Sequence, residues 1–150
     1  MHTPASIRNH PIHPMLVTIP IGLWIFSLAC DLIGLRSVHP DLWFVVALYT
    51  MIGGILGALA AAIVGLIDLL SLRKPNLRKI ALIHMTLNLV IVVLYVVNVW
   101  LRISNPTQTT GPLTLSVVAI TMLLVSGWLG GELVHVHGVG VQPAARGEEP

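Results

Sequence analysis

The side chains able to do chemistry in this chain stand inside, or at the ends of, long apolar stretches. His10 and His13 lie in "NHPIHPMLV", Asp68 in "GLIDLL", and His84 with Asn88 in "LIHMTLNLV". Glu132, His135 and His137 crowd "GGELVHVHGVG". A neutral imidazole can bind iron or zinc or accept a proton, and a carboxylate can hold a proton or a metal ion. In hydrocarbon each is costly unless it faces a bundle interior and finds a partner, so such residues point to a functional site.

The surrounding composition is that of a membrane protein. Of 150 residues, 55% are hydrophobic and 9% charged, against about a quarter charged in a soluble domain. Mean hydropathy is +0.89. The formal charge of +2, with no basic stripe interleaved with aromatics, argues against nucleic acid. Cys30 is the single cysteine, so neither an intramolecular disulfide nor a CxxC motif can form. Walker, GxGxxG, GxSxG and HExxH motifs do not occur. The apolar run after Pro14 is longer than a signal h-region and lacks a small-residue cleavage site, so it is expected to stay in the protein.

Four segments are long enough to cross a bilayer, which takes about 20 helical residues. They run from about Pro14 to Leu35, Leu42 to Leu72, Leu77 to Ile103 and Pro112 to Val136, with a short polar tail over 142–150. Pro14 suits a first helical turn, and Pro20 should kink the first helix. "RSVHPD", "RKPN" and "SNPTQTTGP" break the spans. Short loops imply antiparallel neighbours, hence an all-α, up-down bundle of four transmembrane helices forming one domain. Arg8, Arg73, Lys74, Arg78, Lys79 and Arg146 fall on one side, Arg36 and Arg102 on the other. The positive-inside rule then predicts an inner-membrane protein with both termini cytoplasmic.

Counted along the helices, His13, Asp68, His84 and Glu132 all reach the same leaflet. Asp68 and Glu132 are therefore expected within reach of His84, directly or through a bridging atom or water. Gly54, Ala58, Ala61, Gly65 and Asp68 recur in steps of four and three, a small-residue stripe ending in a carboxylate. His84, Asn88, Tyr95 and Asn98 share a face of the third helix, and Gly127, Gly130 and Gly131 thin the fourth. His135 and His137, two apart, cannot share a helical face. Against the functional reading stands a plainer one. A membrane histidine or carboxylate is often a hydrogen-bonded packing element, and glycine stripes often mean tight helix packing. His2, His10 and His39 suit solvated positions, and Asp31 should pair with Arg36, Arg102 or a polar face.

Through "NHPIHPMLVTIPIGLW", "GLIDLL", "LIHMTLNLV" and "GWLGGELVHVHGVGV" the chain resembles a bacterial membrane family catalogued as domain of unknown function 2231, from Asn9 to Val141. The resemblance implies His10, His13, Asp68, His84, Asn88, Glu132 and His137 as its pattern residues, with His135 at a freer position. Members joined to Rieske-type iron–sulfur domains imply membrane redox partners.

Three functions compete. The first is a small redox protein holding one b-type haem, linked to quinol and to membrane redox proteins. His84 would be one axial ligand and His13 or His137 the other, with His10 and Asn88 beside the cofactor. Arg8, Arg78 and Lys79 would neutralise propionates, and Asp68 and Glu132 would accept protons. Against it, only His84 lies well inside a span. The second is a Zn or Fe site in a membrane enzyme, built from His13, His84, His137, Asp68 and Glu132. The third is an accessory or structural subunit, as a homo-oligomer or in a larger complex, whose polar cluster is a buried hydrogen-bond network. The lipid bilayer is a partner in all three.

Overall fold

A computed structural model describes residues 4–8 and 10–141; the tail 142–150, Arg146 and His2 lie outside them. A two-residue ladder pairs β1 (Ser6–Ile7) with β2 (His10–Pro11) around Arg8, whose φ of 47° marks a tight turn. The helices follow as α1 (Ile12–Leu16), α2 (Thr18–Gly34), α3 (Pro40–Ser71), α4 (Pro75–Ser104) and α5 (Thr110–Gly131). A π-helical turn, Glu132–Val136, closes the bundle. Four helices are long and apolar enough to span a membrane, α1 and α2 forming one span together. The protein is an all-α membrane protein.

Proline sets the boundaries. Pro40 and Pro75 open α3 and α4, where the N–H they lack would have had no helical partner. Pro20 sits inside the first span and cannot donate to the Leu16 carbonyl four residues back. The helix breaks there at Val17 and resumes when the Ile21 amide reaches the Val17 carbonyl at 3.3 Å. The expected kink is thus a short interruption one turn before the proline.

α2 packs on α3 and α5, and α4 packs on α5 and α3, leaving α2 and α4 on the diagonal. Long side chains cross that diagonal in three layers. Trp24 stacks on Tyr95 with ring centres 4.4 Å apart and planes 9° from parallel. At one end His13 meets His84. At the other, Arg102 forks onto Asp31 through Nη1–Oδ1 at 2.8 Å and Nη2–Oδ2 at 2.6 Å. The members of each pair stand 71 residues apart in the sequence (13 to 84, 24 to 95, 31 to 102). With the same offset the buried Pro20 and Ser27 of α2 fall on the buried Ile91 and Asn98 of α4.

α3 and α5 repeat with a shorter offset of 65. Buried Ala47, Met51, Gly54 and Ala61 map onto buried Pro112, Ser116, Ala119 and Ser126. The bundle is therefore two helical hairpins of like design, arranged about an approximate two-fold axis along the bundle. Parallel repeats related by an axis along the membrane normal are a recurrent membrane architecture.

The ion pair is nearly dry, with side-chain exposures of 12% for Arg102 and 3% for Asp31. Arg102 Nε also donates to Asn98 Oδ1 at 2.8 Å, and Asn98 Nδ2 donates to Ser116 Oγ and the Pro112 carbonyl. Breaking a buried pair strands a charge, which costs about 3–5 kcal/mol, whereas replacing both partners with apolar groups is often near neutral. Arg102→Met should therefore lose stability of that order in detergent unfolding, and Asp31→Leu with Arg102→Met should recover most of it. A double variant no more stable than the single one would show that the pair is not the source of the effect.

Candidate functional site

The two histidines that meet are seated alike. His13, in α1, directs Nδ1 to the Ala61 carbonyl of α3 at 2.9 Å. Its ring occupies the space over Gly65, where a Cβ would stand 2.7 Å from His13 Cε1. His84, in α4, directs Nδ1 to the Ser126 carbonyl of α5 at 2.9 Å, and its ring lies over Gly130, where a Cβ would stand 3.1 Å from Cε1. In both cases the accepting carbonyl lies four residues before the glycine, one helical turn along the same face. A neutral imidazole that donates from Nδ1 presents a bare Nε2, and metal-ligating histidines are held in this way.

The rings approach at 6.4 Å between centres, with planes 87° apart. His13, which the sequence places only at the mouth of its span, thus stands level with His84. Asn88 donates from Nδ2 to Ser126 Oγ at 2.7 Å and to the His84 carbonyl at 2.8 Å. The same Nδ2 is 3.2 Å from His84 Nε2, the longest of its contacts. Among the described residues nothing bonds His13 Nε2.

Two clefts flank the histidine pair. The larger, about 410 Å³, runs between α2 and α5 past Val17, Pro20, Ile21, Ala58, Gly127 and Gly131. The smaller, about 130 Å³, opens between α3 and α4 past Asp68, Leu69, Leu72, Ala81 and Met85. His13, His84, Asn88 and Gly130 line both. Together the clefts fall in the range of small-molecule and cofactor sites, roughly 300–1,000 Å³.

The other residues singled out in the sequence divide. Asp68 lines the smaller cleft and accepts the Ala5 amide at 3.2 Å, tying the N-terminal ladder to α3. Glu132 lines neither cleft. It faces His137, Nε2 to Oε1 at 3.8 Å, and the side chains are 36% and 34% exposed. The physical reason is helical spacing: Gly130 meets His84, and Glu132, two residues on, lies about 200° further round α5. The expected approach of Glu132 to His84 is therefore not found, and His137 is an exposed residue outside the pair. His10 is exposed as well, its Nδ1 bonding the Arg8 carbonyl at 2.9 Å. His135 is exposed at the rim of the larger cleft.

Among the described residues no group of three or more His, Cys, Asp and Glu is assembled to hold a metal ion. The five-residue centre of His13, His84, His137, Asp68 and Glu132 is consequently not brought together. Nor does the small-residue stripe of α3 serve mainly to deliver Asp68. Gly54 and Gly65 are seats for the rings of Trp24 and His13, since a Cβ at Gly54 would lie 2.3 Å from Trp24 Nε1.

The model of a family described as "Predicted membrane protein (DUF2231)" matches residues 9–143. No curated protein and no solved structure matches the chain.

The ring seats make a direct prediction. Gly65→Ala should displace the His13 ring and cost about 1–3 kcal/mol, the usual range for overpacking, with a smaller loss for Gly130→Ala. Gly127→Ala should be silent, because nothing lies within 4 Å of its Cβ position. Melting of the three variants in detergent checks the order. Equal stability for Gly65→Ala and Gly127→Ala would show that the seat does not constrain the ring.

Proposed function

We propose that this chain, which belongs to the DUF2231 family of predicted membrane proteins, is a small membrane electron carrier holding one b-type haem between His13 and His84. The observation that carries the reading is the histidine pair itself. Two metal–nitrogen bonds of roughly 2 Å each, with each ring centre about 1 Å behind its nitrogen, put the ring centres of a bis-imidazole site about 6 Å apart. The spacing of 6.4 Å between the ring centres is of that size. The clefts on either side supply room for the edges of a macrocycle, bordered by Ala58, Ala62, Gly127, Gly130 and Gly131.

Haem when bound supplies a one-electron couple; the chain's residues do the rest. The Ala61 and Ser126 carbonyls orient the imidazoles and raise their basicity. Asn88 gives up only its longest contact when His84 Nε2 is taken, and keeps Ser126 and the His84 carbonyl. Most of the remaining lining of the clefts is apolar. Asp68, at the edge of the smaller cleft, is the carboxylate placed to accept a proton if a quinol delivers electrons there.

A second reading rests on the same two bonds: the histidines as polar ties between helices. Such bonds average about 0.6 kcal/mol within membranes, a small return for two imidazoles and two carved seats. We favour ligation for that reason. The positive-inside rule supports a cytoplasmic histidine end, with the protein in the inner membrane.

Two experiments test this. Protein purified after expression with ample haem should show a low-spin b-type absorption spectrum. His13→Ala and His84→Ala should each abolish or severely weaken it, while His39→Ala and His137→Ala leave it intact. A colourless, folded protein whose His84→Ala variant is equally stable would refute the haem site and leave the tie, at most, as packing. For orientation, reporter fusions at Pro150 should be active in the cytoplasm; activity only on the far side of the membrane would reverse the assignment.

A further inference from the structure

At the end of the axis away from the histidines lies a third cavity, of about 300 Å³, floored by Asp31 and Arg102. It sits on the axis of the repeat: Leu48 and Leu113, which line opposite walls, are equivalent at the offset of 65 that relates α3 to α5. Its floor lies 18 residues along the helix from the histidine layer, roughly 27 Å at 1.5 Å per residue. The cavity is therefore separate from the proposed haem site, and nothing below depends on haem.

Chemistry at the floor is selective. A guanidinium carries five N–H donors. Arg102 spends one on Asn98 and two on Asp31. Two donors remain, without an acceptor among the described residues, on a side chain only 12% exposed. Arg102 lines the cavity, and an acceptor atom held there would satisfy them. An anion is disfavoured: Asp31 already neutralises Arg102, and Asp41 adds a carboxylate to the lining. That leaves a neutral acceptor such as a carbonyl oxygen.

The walls add shape. Leu35, Val45, Leu48 and Leu113 are apolar, and Phe44 presents a ring held against Gly34, where a Cβ would stand 2.9 Å from Phe44 Cε1. A ring fixed in this way offers a flat face for offset or edge packing. The volume stands at the lower limit for small-molecule sites, enough for one ring with its tail outside. We infer that this cavity binds the head of a neutral, membrane-soluble carbonyl compound with a flat ring, the quinone class.

Full-length protein in nanodiscs, titrated calorimetrically with a decyl-substituted benzoquinone, tests this. The expected result is saturable binding, weakened at least tenfold by Leu48→Phe, which fills the cavity. Leu56→Phe, on an exposed helix face, should leave it unchanged. Should Leu48→Phe not fold, as judged by circular dichroism, Leu113→Phe makes the same test from the opposite wall. A short-chain diacylglycerol, which offers ester carbonyls without a flat ring, serves as the comparison and should bind at least tenfold more weakly. Absent or non-saturable quinone binding, or binding unaffected by filling the cavity, would overturn the site. Equal or tighter binding of the diacylglycerol would overturn the ring assignment in favour of a lipid-ester site.

Discussion

Hydrocarbon offers a polar side chain no water to pair with, so every such group within the spans must find a partner inside the protein. This chain meets that constraint mainly along one line, the diagonal between the first span and α4, with the buried Tyr95 Oη an exception that has no hydrogen-bond partner among the described residues. Asp31 forks onto Arg102 at one end, His13 meets His84 at the other, and the Trp24–Tyr95 stack lies between. Because an unpaired buried charge costs several kcal/mol while lipid-facing leucines and valines are interchangeable, these layers select one rotation and one depth for each helix. The apolar residues outside then need only be apolar.

Ring seats turn the same constraint into close packing. Trp24 lies over Gly54 and donates to the Met51 carbonyl, His13 lies over Gly65 and donates to Ala61, and His84 lies over Gly130 and donates to Ser126. In each a ring N–H reaches a helix carbonyl three or four residues before a glycine that makes room for it. A helix carbonyl has a second lone pair to accept with, so the helix keeps its own bond while holding the ring. Rings fixed in this way are preorganised, which is what a ligating imidazole needs and a merely adhesive one does not.

Much of this was legible in the sequence and some was not. Hydropathy located the four spans, Pro20 announced the break at Val17, and the spacing of His84, Asn88, Tyr95 and Asn98 put them on the interior face of α4. Arg102 was among the three partners named for Asp31, and the structure selects it. The repeat was hidden because, the histidines apart, its paired residues differ: Asp31 against Arg102, Trp24 against Tyr95, Ser27 against Asn98. The recoverable signal was the shared spacing, histidine to aromatic to charge, in "HPMLVTIPIGLWIFSLACD" and "HMTLNLVIVVLYVVNVWLR". Glu132 was misplaced because only depth was counted: two residues past Gly130, which meets His84, it lies on another side of α5. His13 was judged too shallow because depth was counted from the start of each span: His13 is second in a span that begins at Ile12, while α4 begins at Pro75, nine residues before His84.

The central claim is that two imidazoles, one from each hairpin, face a single ligand on the axis with their planes nearly perpendicular. Low-temperature electron paramagnetic resonance of the oxidised, haem-loaded protein reads that geometry directly. The ferric signal should be low-spin and highly anisotropic, as two imidazole planes near 87° apart require. A high-spin signal, or the rhombic low-spin signal of parallel imidazoles, would contradict it.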